Sequence, residues 1–180
     1  MCMRNIIQWM ILGILFIFVV FTVYTSIKMW WTFRKESKLF LEQHHDAEFV
    51  KDSDLPWILE IILGLFAVGL GLFSPWEQLN PSLVLFYNAG YVCVGFLFFG
   101  IAFDNYVHKR AIFTKDGFFF VNEMIRYRSI RSVEPKKRWF GQKMLIHMAN
   151  GEEMEISYKI GERVKEGKDL RKKQKKERHK

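Results

Sequence analysis

The stretch Ile112-Phe113-Thr114-Lys115-Asp116-Gly117-Phe118-Phe119-Phe120 decides how the chain is read, because apolar runs precede it and β-patterned segments follow it. Asp-Gly between aromatic and β-branched residues is a hairpin signal, since glycine supplies the positive φ that a two-residue turn needs. The pattern therefore predicts a tight turn at Asp116-Gly117.

Downstream, short strands are expected over residues 111–114, 118–121, 124–127, 130–134, 143–149 and 152–158. Asn122-Glu123 reads as a turn, and Asn150-Gly151 as a second type I′ signal. Met154, Ile156 and Tyr158 alternate with Glu153, Glu155 and Ser157, which gives that strand one buried and one wet face. About fifty residues is marginal for independent folding, so the sheet should pack on a helix, a second subunit or the membrane face of the spans. Phe118, Phe119 and Phe120 in succession agree, because strand alternation turns at least one of them away from the sheet's own core.

Upstream, residues 6–27 contain no charge and are long enough to cross a hydrocarbon core of roughly 30 Å. The run is too long for a signal-peptide core and leads straight into Lys28, Trp30 and Trp31, so an uncleaved first span is expected. A second span is predicted over 57–73, with Pro56 in its first turn, and a third over 82–103. Gly64, Gly69 and Gly71 enrich the second, where Ala67 and Gly71 form a small-xxx-small pair for helix packing. In the third, Gly90, Gly95 and Gly100 move around the helix rather than keeping to one face. Two intramembrane polar residues stand out. Glu60 lies one turn inside the interface, within snorkelling reach of headgroups, and Asn88 is placed to hydrogen-bond across to another helix.

The connector 28–56 is polar, and a short interfacial helix is expected within residues 33–54. His44 and Glu48, at i and i+4, would share one helix face and could hold a divalent metal; a solvated polar loop is the preferred reading. No catalytic constellation is apparent, and neither cofactor nor metal is expected. Cys2 and Cys93 offer no disulfide framework, and Cys93 reads as a packing residue.

The formal charge is +8. Residues 159–180 carry eleven Lys or Arg against four Asp or Glu, so nearly all of the excess lies there. Arg171, Lys172, Lys173, Lys175, Lys176 and Arg178 are the residues expected to contact a membrane surface, where anionic headgroups attract basic side chains. The same tail lacks aromatic residues for base stacking, which argues against nucleic acid as a partner. Lys28, Arg34, Lys35 and Lys38 follow the first span, Lys109 and Arg110 follow the third, and the 74–81 loop has no basic residue. The positive-inside bias therefore predicts the connector and C-terminus in the cytoplasm and the N-terminus outside.

The run from Ile112 to Val133, Ile-Phe-Thr-Lys-Asp-Gly-Phe-Phe-Phe-Val-Asn-Glu-Met-Ile-Arg-Tyr-Arg-Ser-Ile-Arg-Ser-Val, placed after three spans, resembles an uncharacterised family of bacterial three-span inner-membrane proteins. The resemblance implies a short β region similar to part of a bacterial pleckstrin-homology-like (PH-like) domain. It implies no activity and no site residue. That family closes its β region with an amphipathic helix, whereas residues 161–180 here offer only Val164 and Leu170 as large apolar groups.

The expectation is an integral membrane α+β protein: a membrane domain (1–110), a cytoplasmic antiparallel β module (111–160) and a polybasic tail (161–180). A non-catalytic role is expected, with the module contacting the membrane surface, a protein partner or a second copy of the chain. Self-protection against a membrane-active bacteriocin is one alternative, by analogy of architecture. A small transporter or metal-related membrane protein is another.

Overall fold

The computed structural model describes residues 2–75, 83–137 and 142–177. The chain forms two compact units: Met1–Trp30 with Leu55–Asn105, and Trp31–Asp54 with Tyr106–Lys180. The expected loop over 74–81 and the start of the third span fall largely on residues 76–82, outside the described residues.

The first unit is built from helices. Helix α1 spans Cys2–Gln43, α2 Leu55–Phe73 and α3 Val84–His108. All three are long and apolar enough to cross a membrane. Within this unit α2 and α3 meet along small residues. A Cβ on Gly95 would lie 2.5 Å from Val68 Cγ2 and 2.8 Å from the Gly64 carbonyl, and one on Gly71 would lie 3.0 Å from the Asn88 carbonyl. Gly64, Ala67 and Gly71 are the buried residues of α2, as the small-residue reading predicts. Gly95 faces α2 while Gly100 faces Thr22 and Val23 of α1, so the glycines of α3 serve different neighbours. The Thr25 hydroxyl donates back to the carbonyls of Phe21 and Thr22, which satisfies it without a partner helix.

The second unit contains seven strands and a helix. Strands β1 (Glu48–Lys51), β2 (Arg110–Phe113), β3 (Gly117–Phe120) and β4 (Glu123–Arg126) form one antiparallel sheet in that order. Strands β5 (Ile130–Lys137), β6 (Gln142–Met148) and β7 (Glu153–Ser157) form a second. Helix α4, Tyr158–Glu177, follows. Phe113, Phe118, Phe120, Ile125, Tyr127, Ile130, Ile146, Ile156, Ile160 and Val164 form a shared core between the sheets and α4.

Two segments differ from the sequence reading. The connector is not a short interfacial helix with a loop: α1 continues unbroken to Gln43, and β1 follows, pairing Glu48 with Phe113 and Lys51 with Arg110. Its helical part covers the outer face of the first sheet, where Phe119 stacks on Phe40 at 5.3 Å and on Phe33 at 6.2 Å. That contact accounts for three consecutive buried phenylalanines: Phe118 and Phe120 enter the shared core, and Phe119 meets α1. The basic tail is likewise helical as far as Glu177. Ile160 and Val164 are fully buried, and Gly161 and Gly167 let α4 lie directly on Met144 and Tyr127, positions a Cβ would occupy. Two missing side chains thus do part of the packing that large apolar residues would otherwise do.

The turns also correct the hairpin reading. Gly117 is not in a left-handed turn but inside β3, opposite Arg126. A Cβ there would collide with the Ile125 carbonyl and lie 2.8 Å from Arg126 Cα, so glycine serves close backbone approach. The connection from β2 to β3 is Thr114-Lys115-Asp116, closed by the Thr114 N–H on the Gly117 carbonyl at 2.8 Å. The left-handed residues lie one hairpin later, at Val121 (φ 45°) and Asn122 (φ 67°). Asn150-Gly151 sits in a longer connection between Met148 and Glu153, with Gly151 at φ 91° and the Asn150 side chain accepting from the Glu152 N–H.

Candidate functional site: a cationic cleft in the α+β unit

Three arginines, Arg126, Arg128 and Arg171, gather around one edge of the second unit. Arg126 ends β4, and the ladder is extended by the Tyr127 N–H donating to the Asp116 carbonyl at 3.0 Å. The chain then enters a 3₁₀ turn, Tyr127–Ser129, closed by the Ser129 hydroxyl on the Arg126 carbonyl at 2.7 Å. Tyr127 is buried while Arg126 and Arg128 on either side of it are exposed. One turn of α4 beyond Gly167, which rests on the Tyr127 ring, Arg171 reaches the same edge.

These three guanidinium groups, with Lys115, line a cleft of about 530 Å³. Phe40 and His44 form another wall, their rings stacked with centroids 4.3 Å apart. Asp46 and Asp116 are the carboxylates in the lining, so four cations face two acids. Asp46 is taken up by Lys115 at 3.0 Å, and that hydrogen bond holds the Asp46 carboxyl below the usual carboxylate range. Among the described residues, the side chains of Arg126, Arg128 and Arg171 have no ion-pair partner. A second cleft of about 230 Å³ adjoins, sharing Asp46, Thr114, Lys115 and Arg171, and there Arg163 is tied to Glu48 and to Glu166. Those two carboxylates raise the Arg163 pKa further.

Other charged groups fasten the unit together. Arg110 is buried, its guanidinium 3.5 Å from the Tyr106 ring centroid, donating to the Tyr106 carbonyl at 2.7 Å and pairing with Asp54 at 2.6 Å. Lys109 pairs with Asp52 at 3.3 Å. Burial acts to raise the Asp52 pKa, but the Ser53 N–H and the Lys109 ammonium outweigh it and hold the carboxyl below its ordinary value. Both pairs clamp the residues that follow β1 to the start of β2.

The residues singled out from sequence divide into three groups. Arg171, Lys172 and Lys173 lie on α4, with Lys172 and Lys173 exposed. Lys175 and Lys176 lie on the same helix, but their side chains, and the whole of Arg178, fall outside the described residues. Glu60 and Asn88 sit in the first unit: Asn105 Nδ2 donates to Glu60 Oε1 at 2.6 Å, while Glu60 Oε2 and Asn88 Oδ1 are buried with no hydrogen-bond partner among the described residues. The two do not form one site, since Glu60 is engaged with the far end of α3 from Asn88.

His44 and Glu48 do not share a helix face, because α1 ends at Gln43 and Glu48 begins β1, bound to Arg163. No group of three potential metal ligands occurs among the described residues. The cleft itself was not legible in the sequence. Arg126-Tyr127-Arg128 alternates as a strand would, and that pattern alone signals only a buried tyrosine between two wet residues.

Comparison with protein-family models, curated proteins and solved structures finds no match. What is established is an α+β chain with three helices long and apolar enough to cross a membrane and a following antiparallel β region.

Proposed function

We propose that this chain is a non-catalytic bacterial membrane protein with three spans, whose second unit is a PH-like module that contacts the anionic surface of the cytoplasmic membrane. Its helices support insertion: Ile17 is 70 % exposed, Phe66 63 % and Phe73 85 %, an apolar exterior suited to lipid. A seven-stranded antiparallel meander in sheets of four and three, followed by a helix, supports the PH-like reading and the resemblance to the three-span family. Pairing of β1 with β2 requires the segments before α2 and after α3 to lie on one side of a bilayer, in keeping with the two spans, an even number, between them. Basic residues flanking those segments favour the cytoplasmic side.

The observation that carries the surface contact is α4. Its inner face is spent on Ile160, Gly161, Val164 and Gly167, which leaves Lys165, Lys172 and Lys173 exposed on a rigid element rather than on a loose tail. Charges fixed on a helix lose less conformational entropy on contact than charges on a disordered chain.

The test is hydrogen exchange of α4 in the full chain, reconstituted in nanodiscs of phosphatidylcholine alone or with phosphatidylglycerol. Exchange over Arg171–Glu177 should slow with the anionic lipid, and Lys172→Gln/Lys173→Gln/Lys175→Gln/Lys176→Gln should abolish the difference. Equal exchange in both lipids would refute the contact.

A further inference from the structure

We infer that the cleft bounded by Arg126, Arg128 and Arg171 is a binding site for a phosphate-bearing ligand. The inference deepens the surface-contact reading and rests on it only for where the phosphate might come from. Its basis is geometric. Three guanidinium groups from β4, the 3₁₀ turn and α4 converge on one cleft, and none has a carboxylate partner among the described residues. Arg110 and Arg163, in the same unit, are each tied to carboxylates. Four cations against the two carboxylates Asp46 and Asp116 leave an excess of positive charge in the cleft, and a bound polyanion reduces the repulsion among the cations.

The chemistry of the lining selects phosphate. A guanidinium is planar and always charged, and its paired N–H groups match two oxygens of a phosphate group. A cleft of about 530 Å³ is within the usual range for small-molecule sites and is larger than one phosphate group requires. The remaining space faces the stacked rings of Phe40 and His44, against which an organic portion of the ligand can pack. Lys115 supplies a fourth cation. It is 86 % exposed and held only by exposed Asp46, so it can exchange that carboxylate for a phosphate oxygen at little cost. Both a soluble phosphorylated small molecule and a phospholipid headgroup carry the required group.

The test uses the full chain in detergent micelles and inorganic pyrophosphate as the probe, followed by isothermal titration calorimetry. Saturable binding is expected, weakened by about tenfold or more in each of Arg126→Gln, Arg128→Gln and Arg171→Gln, as loss of a charge-assisted hydrogen bond implies. Arg126→Lys should keep part of the affinity, and Lys172→Gln/Lys173→Gln should change it by less than about twofold, as expected for charges away from the cleft. Unchanged thermal unfolding of the variants guards against misfolding. Repeating the titration in nanodiscs distinguishes the sources: weaker pyrophosphate binding with phosphatidylglycerol than with phosphatidylcholine alone identifies a headgroup occupant, and equal binding a soluble one. Absence of saturable binding, or equal losses from the cleft arginines and the Lys172/Lys173 pair, overturns the site. Because the micelle titration contains no anionic bilayer, it can fail while the α4 exchange result stands, and the reverse.

Discussion

Tyr127 joins the core to the cleft: its ring lies 6.4 Å from that of Phe118, Gly167 rests on it, and the two cleft arginines flank it in sequence. Burial, with Glu48 adding to it and Arg163 opposing, pushes its phenol pKa up to about 12 from 10.0. The folded state therefore prefers the neutral phenol. Its contribution to stability is complete below pH 10 and is lost as pH rises toward about 12, because the unfolded chain ionises first. Thermal unfolding in micelles between pH 8 and 12 should show a steeper alkaline loss for the natural chain than for Tyr127→Phe; identical profiles would contradict this environment for Tyr127. Residue types at such positions were legible in the sequence, but their reasons often were not. Asp116-Gly117 marks the right place, yet glycine is required there by the carbonyl of Ile125 in β4, a contact that no local pattern contains. Conversely, Val121 occupies a left-handed conformation that its β-branched side chain disfavours, so the true hairpin turn at Val121-Asn122 gave a weak signal.

At the scale of elements, the three long apolar helices were readable because lipid-length hydrophobic runs depend on composition alone. Helix α1 was not readable to its end. Its last part packs buried Phe33 and half-buried Phe40, seven residues apart on one face, against Phe119, and two anchors do not make a periodic stripe. Helix α4 was obscured for a related reason, since Gly161 and Gly167 pack by lacking side chains and so add nothing to an apolar count. The crossing of α2 and α3 follows the same rule. Gly64→Leu and Gly95→Leu should each destabilise the helical unit by about 1–3 kcal/mol through overpacking. Gly69→Leu should be nearly neutral, because nothing lies within 4 Å of the Cβ it would add. Thermal unfolding in detergent measures all three, and equal effects would argue against the crossing.

For the whole molecule, the main departure from the sequence reading is that the α+β unit is assembled from two separate stretches. Residues 31–54 contribute a covering helix and β1; residues 106–180 contribute the remaining strands and α4; α2 and α3 intervene. Strand β1 is four residues long, and its partner lies beyond two helices, so neither length nor local pattern could announce it. Buried Arg110 pairs with half-buried Asp54, and half-buried Lys109 with Asp52, so both pairs fasten the residues after β1 to the start of β2. The sheet therefore ties topology to folding: on the proposed reading, in which α2 and α3 both cross a bilayer, pairing of β1 with β2 puts the connector and the residues after α3 on one side of it. Sidedness measures this most directly. In a Cys2→Ser/Cys93→Ser background, Lys38→Cys and Glu152→Cys are labelled with a membrane-impermeant maleimide in intact cells and in inverted vesicles. Both positions should react in the vesicles and neither in intact cells; labelling of one from each side would contradict the assembly of the sheet across the two spans.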